Sequence, residues 1–248
     1  PVSSAPAMLD GTFYSHAELD SARAKLEHVF DASVLVLPSP RVTGASDAAS
    51  NAKRFPVVSM SDALTSTHSV DAHMQMCLAP ALTKHNRAPR ARVDAIQTGD
   101  VSLSYIVLDY DLEDHGGARM TPPLFRRLVG ELCAHPMLAG AVWYSTRGGM
   151  RAVVRLAEPF ALDPSARGAD WTAFYTHVVA SLPHAERWDL ACKDASRLMR
   201  MPYVRRDDED QRGELFIPRD VSAYTLNAAD IAVMIGALTR STSRRDAV

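Results

Sequence analysis

Asp109 and Asp111 stand two residues apart at the end of an apolar, β-branched-rich run that starts near Ser102. Side chains two apart on a strand point the same way, so the two carboxylates would share a face. They would repel each other there and raise one pKa unless a cation lay between them. A ligand set made only of such oxygens suits Mg²⁺ or Mn²⁺. The competing reading is a pair of solvated acids opening a loop, as Glu113 and Asp114 do just downstream. If repulsion dominates, replacing Asp109 and Asp111 by Ala should stabilise the metal-free protein.

A second set runs through Ser145, Thr146, Arg147, Gly148, Gly149, Met150 and Arg151. Paired glycines permit a tight turn and close backbone approach. Ser145, Thr146, Arg147 and the turn amides could face an anion, with Arg151 and Arg155 projecting from one face of the next strand. Arginine grips phosphate bidentately, so a triphosphate site would use it. Taken alone, the segment reads as a β-hairpin turn with exposed arginines.

The third set lies between Trp188 and Pro202. Asp189 could be a third carboxylate. Arg197 and Arg200 are three apart and would share a face on a helical turn, which Pro202 ends. The alternative is a helix surface with charge pairs such as Asp194 to Arg197. Three acids and a group of arginines are together what two-metal phosphoryl transfer needs. Metals bring the attacking hydroxyl and the α-phosphate together and neutralise the entering and leaving oxygens. Arginines hold the departing pyrophosphate.

Those residues need elements to carry them. Ser15 as N-cap with Glu18 in the capping-box position predicts a helix over about 15–30. A short strand at 33–37, a Pro/Ser/Ala/Asn-rich loop at 38–53 and a strand at 55–60 follow, then a mixed segment to about 82. The run at 102–108 reads as a buried strand. Pro122 and Pro123 open an amphipathic helix that ends near Cys133. Strands at 139–145 and 150–156 flank the Gly148-Gly149 turn and can form a hairpin. A helix at 169–182, a strand at 214–217 and a helix at 226–238 complete the chain. The alternation lacks a regular βαβ rhythm, so the fold class is α+β.

At 248 residues, with 47% hydrophobic and 23% charged residues, the chain has an ordinary globular composition and can bury a sizeable core. No apolar run approaches the ~20 residues that span a bilayer, and a basic-then-apolar leader is absent, so no membrane role is expected. Pro1 and the polar C-terminal stretch suggest a piece processed or excised from a longer protein. Cys77, Cys133 and Cys192 are far apart and odd in number, which points to a reducing, cytoplasmic setting. No CxxC pair offers a zinc knuckle. The net charge of −2 is low for a nucleic-acid binder, so any basic track must be gathered on one side. Its members would be Arg147, Arg151, Arg155, Arg197 and Arg200, with Arg205 and Arg206 at the rim. His68, His73 and Cys77 lack a flanking ligand pattern, and His115 reads as a loop residue. The acids at 207–210 read as a solvated run. Trp143, Tyr144 and Trp188 read as core or cleft wall.

The order of these motifs over 103–202 resembles the archaeo-eukaryotic primase superfamily, above all the primase-polymerase domains of phages, plasmids and integrated elements. The elements of the likeness are a hydrophobic strand ending in DxD, a Ser-x-x-Gly-Gly-x-(His/Arg) turn into a strand, and an Asp followed by Arg-x-x-Arg-x-Pro. The last is the most specific. The resemblance implies an RRM-like antiparallel or mixed sheet (about 101–240) packed with an N-terminal α/β module (about 13–100), one catalytic domain over 1–248. It implies a template-dependent DNA primase or polymerase acting by two-metal phosphoryl transfer, with Asp109, Asp111 and Asp189 as catalytic metal ligands for Mg²⁺ or Mn²⁺. Ser145, Thr146, Arg147, Gly148, Gly149, Arg151, Arg197 and Arg200 would bind nucleotide. The partners implied are nucleoside triphosphates, single-stranded or primed DNA and a helicase domain. Arg151 stands where the family usually has His; it can hold a triphosphate but cannot titrate near neutral pH. A metal-dependent nuclease or phosphohydrolase and a silent nucleic-acid-binding module are the alternatives.

Overall fold

The structure of the protein is a computed structural model. It describes residues 9–18, 21–22, 25–26, 35–38, 72–75, 77–78, 102–112, 117, 119–165, 168–195, 198–202, 213–227, 229–233 and 236. The expected strand at 55–60, most of the loop at 38–53, and His68, His115, Arg197, Arg205, Arg206 and the acids at 207–210 lie outside the described residues.

The strand that carries the first acidic motif is β5 (Ser102–Asp111), seven of whose ten residues are buried. A continuous apolar run, rather than strict alternation, marks a strand covered on both faces. It pairs antiparallel with β7 (Gly149–Ala161), which pairs antiparallel with β6 (Val142–Ser145). The expected hairpin therefore forms. It is closed by the Thr146 amide donating to the Gly149 carbonyl at 2.8 Å. With β1 (Gly11–Tyr14), β4 (Cys77–Leu78) and β9 (Leu215–Pro218), these strands make a six-stranded sheet in the order β1-β9-β6-β7-β5-β4. A second, three-stranded sheet has the order β2-β3-β8, from Leu35–Pro38, Ala72–Gln75 and Leu198–Arg200. Every ladder in both sheets is antiparallel.

Two helices follow the expected bounds closely. Helix α1 (Pro122–Leu132) has proline in its first turn and buries Phe125, Leu128, Val129 and Leu132, the spacing of one apolar stripe. Phe125 and Phe216 both contact Phe13, which joins α1 to β1 and β9. Helix α2 (Ala169–Ser181) packs Trp171 and Phe174 against Phe160 of β7. At the N-terminus, Glu18 accepts from the Ser15 amide and hydroxyl, the expected capping contact, but the local turn at His16–Glu18 is a 3₁₀ turn.

Three boundaries differ for local reasons. Strand β6 begins three residues later than the expected 139, at Val142. The preceding segment is a turn, with the Leu138 and Ala139 amides donating to the His135 carbonyl. Strand β7 runs past the expected 156 to Ala161 and pairs again with Leu103 and Ser102 after a register shift. Pro159 falls inside that irregularity, where a missing N–H costs no ladder bond. The third set of motifs is not helical throughout: Leu190–Lys193 is a 3₁₀ turn and Leu198–Arg200 is strand β8. Arg200 therefore sits on a strand rather than a helical face.

The succession β5, α1, β6, β7, α2 with β6-β7-β5 side by side is the start of a split β-α-β-β-α-β unit. It departs from a simple RRM-like sheet at the last strand. The place beside β5 is taken by β4, which precedes it in the chain, while β9 pairs on the far side of β6.

Candidate active site

One row of side chains crosses the sheet near the end of β5. The register places Asp109 opposite Arg151, and Arg151 opposite Tyr144. Directly opposed residues share a face, so the three stand side by side on β5, β7 and β6. The next row, Leu108, Ala152, Trp143 and Phe216, points the other way and is buried apolar core. Asp109 and Arg151 thus occupy positions where the period-2 pattern turns a charged pair to one face while its neighbours bury.

The outer edge of β5 completes the row. Tyr110 bridges antiparallel to Trp188, and the Asp189 amide donates to the Asp109 carbonyl at 2.8 Å. Trp188 packs edge-on to Tyr110 and lies near Trp143, on the core face. Its neighbour Asp189 must then point to the opposite face, beside Asp109. Asp189 also caps the 3₁₀ turn, with Oδ1 accepting from the Ala191 amide at 2.7 Å. That turn brings up Cys192, whose Sγ lies 3.8 Å from Asp189 Oδ2. Ligand atoms of Asp109, Asp189 and Cys192 all fall within 4.8 Å of one another.

Two of the three expected acids therefore meet. Asp111 is not in that group; it stands one step further along the same face of β5, opposite Gly149. Gly149 is required there, since an added Cβ would lie 1.9 Å from the Tyr110 carbonyl oxygen. Cys192 is a member that the sequence motifs do not mark. Its only sequence signal is the Asp-x-x-Cys spacing, which becomes meaningful once Asp189 is known to cap a turn.

Arg151 is bound to Asp109. Its Nε and Nη2 donate to Asp109 Oδ2 at 2.9 and 2.6 Å, and Nη1 donates to the Arg200 carbonyl at 3.2 Å. The pair is largely shielded, with side chains 16% and 13% exposed. Burial alone would lower the Arg151 pKa, but Tyr144 and the Asp109 carboxylate reverse this and hold it above the ordinary arginine value. The Tyr144 hydroxyl donates to the same Arg200 carbonyl at 2.8 Å, and burial pushes its pKa up to about 12. Through that carbonyl, β8 of the second sheet meets the charged row. The expected gain in stability from removing Asp109 is reversed by this geometry: its loss would leave the buried Arg151 guanidinium without its carboxylate.

The remaining members of the second set are used by the backbone framework. Ser145 Oγ accepts from the Glu214 amide at 2.8 Å, and the Ser145 amide donates to the Glu214 carbonyl. Ser145 thereby fixes the entry to β9. The Thr146 amide is spent closing the hairpin, while the Arg147 and Gly148 carbonyls accept from Met120 and Leu112. The Arg147 and Arg155 side chains are exposed. Arg155 lies four residues beyond Arg151 on β7, opposite Tyr105. Trp143, Tyr144 and Trp188 are buried, as core or cleft wall requires. His73 and Cys77 fall on different strands of different sheets, β3 and β4.

The donor set fits a divalent cation. Asp109 and Asp189 bring two carboxylates together against one guanidinium, which leaves the row a net negative charge. Oxygen donors suit Mg²⁺ or Mn²⁺, and the thiol of Cys192 adds a softer donor that neither ion needs.

No family model matches this chain, and no curated protein matches it. Among solved structures, it is similar to the AEP domain of the cyanophage S-2L primase-polymerase, PrimPol (PP-N190). That similarity covers 88% of this chain and 97% of the other, at 12% sequence identity and a TM-score of 0.48. Among the described residues, no helix is long and apolar enough to cross a membrane.

Proposed function

We propose that this chain is a primase-polymerase catalytic domain of the archaeo-eukaryotic kind, a nucleotidyltransferase that joins nucleoside triphosphates on a DNA template. The observation that carries this reading is the meeting of Asp109 and Asp189, 80 positions apart in the sequence, on one face of the sheet beside Arg151. Those are residues of all three motifs on which the family resemblance rests. Asp109 and Asp189, with Asp111 adjoining, would hold Mg²⁺ or Mn²⁺. When bound, the metal supplies charge neutralisation at the entering and leaving oxygens. Arg151 and Arg200, with Arg197, would orient the triphosphate, and the exposed Arg147 and Arg155 would meet template phosphate. Replication of a phage, plasmid or mobile element, with a helicase as neighbour, is the setting this implies.

The test is incubation with labelled nucleoside triphosphates, Mn²⁺ or Mg²⁺, and primed or unprimed template. Strand extension supports the reading. Degradation of the template points to a nuclease, release of phosphate alone to a phosphohydrolase, and no product to a silent binding module. Template affinity gives an independent check, since each neutralised phosphate on a single strand contributes about −0.7 to the log–log salt slope. Three to five contacts predict a slope of roughly −2 to −3.5, nearer the lower end if triphosphate occupies part of the arginine set.

A further inference from the structure

The Asp109–Arg151 pair does more than hold two strands together. Both bonds from the guanidinium fork converge on one oxygen of Asp109, and a third ties the guanidinium to the Arg200 carbonyl. Arg151 thus supplies to Asp109 the positive charge that a divalent cation would supply. In the row it stands on one side of Asp109, with the other carboxylate, Asp189, on the opposite side. A fixed guanidinium at that position competes with a metal twice, by occupying Oδ2 of Asp109 and by repelling the ion.

We propose that Arg151 is a substrate-released latch on the metal site: it blocks Asp109 in the ligand-free protein and leaves it when a triphosphate arrives. The inference rests on the nucleotidyltransferase reading for the identity of the releasing ligand, but its first half concerns only the free protein. A triphosphate offers several anionic oxygens in the bidentate geometry that a guanidinium prefers, so it can exchange for the carboxylate. Histidine, the family's usual residue here, could not play this part in the same way, because neutral imidazole lacks the permanent charge and the fork. Exchange makes the two ligands cooperative. Metal and triphosphate each favour the state in which Asp109 and Arg151 are apart, so each raises the affinity of the other by the same factor.

Metal affinity is measured in the absence of nucleotide by the free Mn²⁺ electron-paramagnetic-resonance signal. The wild-type chain should bind Mn²⁺ weakly. Arg151→Gln should bind it about 10- to 100-fold more tightly, the range expected when a hydrogen-bonded charged competitor is removed. Arg151→Lys, which keeps the charge but loses the fork, should fall between. Equal or weaker Mn²⁺ binding in Arg151→Gln overturns the latch. If that variant lacks native circular dichroism, the same comparison is made with Arg151→Lys.

A second measurement leaves Arg151 in place. With divalent ions removed by EDTA, Asp109→Asn should raise affinity for inorganic tripolyphosphate about tenfold, because it frees the guanidinium. Asp189→Asn removes the same charge nearby without touching Arg151, so its gain should be clearly smaller. Equal gains in the two variants overturn the proposal. The primer-extension assay separates the two inferences. Extension by wild type without the Mn²⁺ shift sinks the latch alone, and the Mn²⁺ shift without any nucleotidyl transfer sinks the functional reading alone.

Discussion

Glu214 and Asp109 each accept two hydrogen bonds from one arginine, and the contrast between them separates a structural clip from a site. Glu214, just before β9, accepts from Arg126 Nε and Nη2 at 3.0 and 2.8 Å and ties that strand to α1. Its arginine is half in water, 52% exposed, and lies over the Phe13 ring. Asp109 has almost the same hydrogen-bond geometry, but its arginine is only 16% exposed and a second carboxylate stands beside it. Water can replace Glu214 on Arg126. Nothing so cheap replaces Asp109 on Arg151. A pair of the first kind adds modestly to stability. The second kind concentrates uncompensated charge in a shielded place, which is the condition for binding an ion rather than only for folding.

The largest test of this contrast is Asp109→Ala. It should lower unfolding free energy by about 3–5 kcal/mol, the usual cost of orphaning a buried partner, and abolish nucleotidyl transfer. Glu214→Ala should cost only about 1–1.5 kcal/mol, because the exposed guanidinium is rehydrated, and should leave transfer intact. Urea melts of the two variants decide it. Equal losses would mean that the two pairs are energetically the same kind of object.

Next in size is Gly149→Ala, which acts on the site's scaffold without changing any charge. The Cβ would lie 1.9 Å from a backbone oxygen, so β7 must shift away from β5 at the Asp111–Gly149 pair, two residues from the Asp109–Arg151 row. Overpacking of this kind costs about 1–3 kcal/mol, and here the upper half is expected because the neighbour is backbone. Activity should fall more than stability. A variant with normal transfer would show that the row tolerates displacement and is less tightly preorganised than the contrast with Glu214 implies.

Much of this arrangement is legible in the sequence. The proline-opened helix α1, the Gly148-Gly149 hairpin and the buried strand that carries Asp109 and Asp111 at its end are all local: periodicity and punctuating residues determine them. The α+β class follows from their order. What is not legible depends on pairing at long range. The Asp109–Arg151 register joins strands β5 and β7 across α1 and β6, and no local pattern sets it. Asp189 reaches the same face because Trp188 bridges to Tyr110 at an open strand edge, a contact that sequence spacing cannot encode. For the same reason Ser145 reads as a phosphate contact in sequence, whereas its hydroxyl accepts from the Glu214 amide 69 residues away. The i,i+3 spacing that suggests a helix for Arg200 is one that a strand end satisfies as readily.

The smallest expected effect is a pH dependence confined to the α1 side of the comparison. His135 follows α1 and its carbonyl anchors the turn before β6, while its Nδ1 is buried without a hydrogen-bond partner among the described residues. Burial lowers its pKa below the ordinary value of 6.5. The neutral ring is therefore the folded form, and the unfolded chain takes up a proton first as pH falls. The sign follows from linkage: this contribution to stability is whole above the unfolded pKa and is lost as pH drops through the lower, folded pKa. Unfolding free energy should be level between about pH 7 and 8 and decline gently below about 6.5, with less than one proton taken up by this group. His135→Gln should flatten that part of the profile, and Arg151→Gln should not, because a guanidinium carries its charge throughout the range. A decline unchanged in His135→Gln would assign the acid-side loss to another group and leave the α1 turn insensitive to pH.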